Sequence, residues 1–374
     1  MNEDKAARYH RLHRQASVAS IVWTAVVLGG LLATGWSVGL RGAAESSAAR
    51  IAPPSWQFPA VLFLYVAWLS AVNEIATLPF AVYTGFVLEH RYAMSNESLA
   101  AWAADRLKAF GVSLVLGSGF AWIVYSAIRL TPSLWWLAAG VAFAVVIVGL
   151  TNLAPVVLLP LFYSVKPLER DTLRARLLAL AERAGARVLG AYEWGLGAKT
   201  KKANAALAGI GSTRRILVSD TMLSEYSDDE IEVILAHEIA HHVHGDIWKG
   251  IAFESGLILL GFYAAARVLA ASAALLGLRG LDDVAGLPLL LLTAGAVSLV
   301  MVPLSHAMSR AFERRADSFA LNLTRNPRAF ISAMRRLGAQ NLAEERPSRI
   351  VQWLFYSHPP LAERIAAAEG FRAA

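Results

Sequence analysis

Six apolar stretches, near 17–40, 57–88, 107–130, 133–162, 247–275 and 285–308, constrain this 374-residue chain more than any other feature. About 20 apolar residues are needed to cross a bilayer core, and each stretch is long enough. In lipid the backbone must satisfy its own hydrogen bonds, so runs of this kind fold as helices. The expected fold is therefore mostly α, a polytopic helical membrane protein of about six spans. The stretch at 57–88 is overlong and carries Pro79, which predicts tilt, a kink or extension beyond the membrane. The first stretch follows a basic segment, as a signal sequence would. It is longer than the usual h-region and lacks an adjacent small-x-small site, so it is read as a retained helix.

Basic residues set the orientation. With the termini, the 89–110 loop and residues 163–247 on the cytosolic side, only Arg41, Arg50, Arg129, Arg267 and Arg279 fall elsewhere. The net charge of +7 follows from this bias, so no nucleic-acid partner is needed to account for it. The chain has no cysteine, which excludes disulfides and thiolate metal sites.

Two polar regions interrupt the apolar pattern. Residues 1–162 hold about four spans, 163–247 form a polar segment, 248–308 an apolar hairpin, and 309–374 a helical C-terminal segment. The first polar segment opens with the amphipathic TLRARLLALAERAG, ended by Gly185. The short β-like runs RVLGAYEW, NAALAGI and RRILVSD follow. A helix then begins at SDDEIEVILAHEIAHH, where Ser227 and Glu230 make a capping box and Asp228 and Asp229 suit the positive helix end. The two polar regions are expected to join as one small cytosolic α/β lobe.

His237-Glu238-Ile239-Ala240-His241 carries the chemistry. Residues i and i+4 share a helix face, so both imidazoles can reach one metal ion. Glu238, one step around, suits a general base better than a ligand. His242 and His244 fall off that face and read as polar residues at a helix end. Catalytic zinc takes three protein ligands and keeps one position open, so a third must come from elsewhere. SRAFERRADSFAL places Glu313 and Asp317 four apart on one face. Amid Arg310, Arg314 and Arg315 such a pair is usually a salt-bridged surface helix. Beside a two-histidine motif lacking a ligand, Glu313 instead completes the set, and Asp317 can accept the second ring N–H of a ligand histidine.

These stretches, with LPFAVYTGFVLEHRYAMSNESLAAW, APVVLLPLFYSVKPL, ANAALAGIGSTRRILVSDTML and FYSHPPLAERI, resemble the type I CAAX prenyl endopeptidases, integral-membrane zinc proteases of the gluzincin type. The resemblance covers most of the chain from about residue 75. It implies His237, His241 and Glu313 as ligands of one zinc per chain, Glu238 as general base and Asp317 as support for a ligand. It further implies that Asn204-Ala205 begins an edge strand pairing with substrate backbone, and that His358 donates to the tetrahedral oxyanion. Arg364 would assist His358 or bind a substrate carboxylate. Family members resemble a seven-helix barrel around a chamber. Residues 41–60 here read as a Pro- and Ser-containing link, one helix short of that number. Asn73, Glu74, Asn152, Glu254 and His306, polar positions within apolar runs, suit a wet interior or interhelical hydrogen bonds.

The expected function is a membrane-embedded zinc endopeptidase acting on membrane-associated or prenylated peptides, in the plasma or inner membrane if the source is bacterial. The lipid bilayer is its surrounding partner, and the sequence leaves the oligomeric state open. Two alternatives are a heat-shock-type quality-control zinc protease and a non-catalytic scaffold or transporter with structural zinc.

Overall fold

A computed structural model of the chain describes residues 2–153, 157–209 and 214–372. The Asn152 side chain and the continuation of the expected strand at Ile210 lie outside the described residues. Long helices dominate: α1 (Asn2–Ala33), α2 (Trp36–Ile51), α3 (Gln57–Val82), α4 (Leu99–Leu130) and α5 (Trp135–Leu153) come first. The polar segment follows as β1 (Val165–Pro167), α6 (Asp171–Arg183), β2 (Ala191–Trp194), β3 (Ala205–Ala208), β4 (Arg215–Ser219) and α7 (Asp228–Val243). Next are α8 (Asp246–Ser272), α9 (Leu287–Thr324), α10 (Pro327–Gln340), α11 (Arg349–Phe355) and α12 (Leu361–Glu369).

Among the described residues five helices are long and apolar enough to cross a membrane: Lys5–Ala33, Pro54–Arg91, Leu99–Leu130, Asp246–Ser272 and Val284–Thr324. The fourth apolar run gives a shorter helix, Trp135–Thr151. Beyond Pro79, the second run continues through a wider π-helical turn at Tyr83–Leu88 before ending at Arg91. A helix can absorb an internal proline by such local adjustment.

Residues 36–51, expected within or beside a link, are helical. Hydropathy could not reveal α2, because its buried face is small and polar: Ser37, Arg41, Ala44 and Ala48, at helical spacing. Ser37 Oγ bonds to the Tyr65 hydroxyl (2.7 Å) and donates to Ala285 O (2.6 Å), while Arg41 pairs with Asp283. The Asp283 backbone carbonyl also accepts from the Tyr125 hydroxyl. Among the described residues α2 packs with α1, α3–α5, α8 and α9 as seven helices, so the expectation of one helix fewer is corrected. The helix sits at the ends of α1, α3 and α9 remote from the lobe. One core runs through Leu62, Tyr65, Leu69, Val124, Tyr125 and Trp135.

Within the bundle the polar groups divide. Glu254 lines a cavity of ≈ 340 Å³ between α5, α8 and α9, with Phe143, Phe262, Ser298 and Ser305. Glu74 instead pairs with Arg106 across α3 and α4 (2.6 Å).

The lobe has a separate core. Leu173, Leu177 and Leu180 on α6 pack with Ile216, Val218, Ile231, Leu235, Phe330 and Met334. Gly185, at φ 72°, stops α6. The four strands run in the order β1-β2-β4-β3, with β2 and β4 parallel and both outer strands antiparallel to their neighbours. The capping box at Ser227 and Glu230 is formed in full. α9, at 38 residues, is about 57 Å long, nearly twice a bilayer core. It therefore leaves the bundle as one continuous helix and enters the lobe beside α7. α1 also reaches the lobe, where Arg14 bonds Glu344 (2.8 Å) and the Tyr356 hydroxyl (3.2 Å).

Candidate active site

α7 is buried on most sides, through Ile231, Val233, Leu235, Ala236, Ile239 and Ala240. Ala316 and Ala320 on α9 are fully buried, and side chains this small let the two helices approach closely. Glu313 and Asp317, one turn apart on α9, are thereby held against His237 and His241 on α7.

Both imidazoles turn Nε2 toward Glu313 and Nδ1 toward another carboxylate. His237 Nε2 lies 3.1 Å from Glu313 Oε2, and His241 Nε2 lies 3.5 Å from Glu313 Oε1. His237 Nδ1 is 2.8 Å from Asp317 Oδ1, and His241 Nδ1 is 3.2 Å from Asp246 Oδ2. One donor atom from each of His237, His241 and Glu313 falls within 4.8 Å of the others. A tetrahedral ion with bonds of about 2.1 Å holds its donors about 3.4 Å apart. Glu313 is buried, and its Oε2 makes no hydrogen bond with the described residues. The donor set thus fits a cation with two nitrogens and one carboxylate oxygen.

Burial lowers the His237 imidazole, but the neighbouring carboxylates of Asp317 and Glu313 outweigh it and carry the ring up to about 9. A metal must displace that proton, so loading and protonation compete. Burial raises the Glu238 carboxyl above its ordinary value, against the opposing charges of His237 and His241. That direction favours a proton acceptor that can also return the proton.

Glu238 shares a cavity of ≈ 360 Å³ with His237, Asn204, Ala205, His358 and Arg364. His358 is largely exposed, with Nε2 3.3 Å from Glu313 Oε1. The loop before it is fixed by the buried Arg310, which donates to Tyr356 O (2.7 Å) and Gln352 O (3.2 Å). Both nitrogens of the Arg364 fork that face Asp317 donate to it, at 2.8 and 2.6 Å. All nine predicted residues therefore lie at or beside one cavity.

Three further residues escaped the sequence reading. Asp246 is buried and holds His241 while accepting from Arg315 (2.7 Å). Its signal was the glycine before it. Gly245, at φ 66°, ends α7 and returns the chain so that Asp246, first in α8, meets His241. His242, read as a polar helix end, bonds Leu207 O (3.0 Å). Asn341 bonds both backbone groups of Ala203.

Replacing Asp317 or Asp246 with Asn is expected to weaken metal binding about 10–100-fold, because each carboxylate fixes the ring presenting Nε2. Competition with a fluorescent chelator measures this. Unchanged affinity in both variants would exclude an orienting role.

A helical membrane bundle joined to a lobe with this constellation defines a membrane metallopeptidase. The chain belongs to peptidase family M48: that family's profile matches residues 167–372. A second profile, CAAX prenyl protease N-terminal, five membrane helices, matches residues 2–164, where α1 to α5 lie. The chain is 31% identical over 309 residues to an uncharacterized metalloprotease, YhfN, of Bacillus subtilis (strain 168), covering 82% of this chain and 72% of that one. It is 28% identical over 316 residues to a CAAX prenyl protease 1 homolog of Oryza sativa subsp. japonica, covering 82% and 72%. The crystal structure of S. mikatae Ste24p shares the fold, with a TM-score of 0.85 at 22% identity over 98% of this chain and 88% of that one. This protein is an integral-membrane metalloprotease.

Proposed function

We propose that the protein is a zinc endopeptidase, one zinc per chain, that cleaves membrane-associated or prenylated peptides at the cytosolic side of the membrane. The observation that carries this reading is the convergence of His237, His241 and Glu313 beside Glu238 in one cavity. Zinc held by those three residues supplies a polarised carbonyl and a water of lowered pKa.

The chain's own residues do the rest. Glu238 takes the proton of the attacking water and returns it to the leaving amine. His358, on the open side of the cavity, donates to the oxyanion. The backbone at Ala205 holds the peptide extended, as an exposed strand edge can. Asp317, gripped by Arg364, keeps the His237 ring in place. Orientation rests on the basic residues of the short loops, and substrate class on what the relatives are named for.

Substrate class is tested by giving the reconstituted enzyme a farnesylated C-terminal peptide and an unfolded membrane protein in parallel. Faster cleavage of the farnesylated peptide is expected. Cleavage of the unfolded protein alone would favour the quality-control alternative, which shares the chemistry.

A further inference from the structure

β3 is an outer strand of the sheet, with β4 on one side only. In an antiparallel pair, successive residues turn their N–H and C=O groups alternately toward the partner strand and away from it. The Ser219 N–H donates to Asn204 O (2.9 Å), and the Asn204 N–H donates to Ser219 Oγ (3.0 Å). Residue 204 therefore turns inward, and 203, 205 and 207 turn outward.

Side chains already engage both flanking outward positions, at Ala203 through N–H and C=O and at Leu207 through C=O. Asn341, just past α10, accepts from the Ala203 N–H through Oδ1 (3.0 Å) and donates from Nδ2 to Ala203 O (3.1 Å). Those two bonds are what a neighbouring strand would make. At the other end His242 reaches across from α7, its Nε2 3.0 Å from Leu207 O, so that nitrogen carries the proton. Ala205 lies between them and takes part in neither arrangement. It lines the cavity that holds His237, Glu238 and His358.

We infer that Asn341 and His242 are register-setting residues that leave a window one residue wide on the strand edge, at Ala205. The inference rests on the reading of β3 as the strand that binds substrate. Strand addition ordinarily uses a run of outward backbone groups. Along such a run a peptide can slide by two residues and keep every side chain on its own face. Here the positions on either side of Ala205 are closed to such a slide. The peptide pairs through one residue, and the scissile bond stands at a fixed offset from it. The two seals tie β3 to α10 and to the catalytic helix, so the window is also held at a fixed place relative to Glu238.

The test uses the full-length enzyme in liposomes, with farnesylated and unmodified synthetic peptides, and reads product masses and zinc content. The wild type is expected to cut each accepted peptide at one bond. Asn341→Ala and His242→Ala should keep zinc near one per chain and add products displaced by two residues. These should reach on the order of a tenth of the total, since one net hydrogen bond biases an equilibrium by up to about tenfold. A single unchanged cut in both variants overturns the inference and leaves the protease reading standing. Loss of zinc in both variants overturns it too, because the residues would then hold the fold rather than the register. A wild type that cuts no peptide overturns the protease reading itself.

Discussion

Glu238→Gln is expected to lower peptide hydrolysis by about 10²–10⁴-fold while zinc stays near one per chain. The amide matches the carboxylate in size and leaves His237, His241 and Glu313 untouched, so only proton transfer is removed. Glu238 sits one residue past His237 and faces the cavity rather than the donor cluster. Parallel measurement of turnover and metal content separates the two effects. Retained turnover would remove Glu238 from the mechanism, and lost zinc would make it a ligand.

The second large effect is expected at Glu313. Glu313→Ala removes the only donor that α9 contributes to the cluster and leaves two imidazoles from one helix. Zinc content should fall well below one per chain, and activity should fall with it. Added zinc should restore part of the activity, because His237 and His241 keep their carboxylate partners Asp317 and Asp246. Full zinc content with full activity in this variant would mean that another residue completes the site.

The catalytic motif was legible because its geometry is local. His237 and His241 are four residues apart on a helix whose start is written in Ser227 and Glu230. Glu313 was found only by what the motif lacked, since its own surroundings of arginines suit a surface helix equally well. The apolar runs were legible for a similar reason, being long and nearly free of charge. α2 was not, because its buried face sets the polar Ser37 and Arg41 among the small Ala44 and Ala48 and so carries no long apolar run. His242 and Asn341 were hidden for another reason. Each acts on a backbone group brought near by packing, and nothing in their spacing records which strand will lie opposite. Asp317 was the exception, because it shares a helix face with Glu313.

The central claim is that one zinc sits among His237, His241 and Glu313 with a position open beside Glu238. Anomalous diffraction from crystals of the full-length protein at the zinc edge tests it most directly. A single peak within about 2.0–2.2 Å of one donor atom from each of the three residues, with no fourth protein ligand, is the predicted result. A peak elsewhere, or one closed by a fourth side chain, would contradict it.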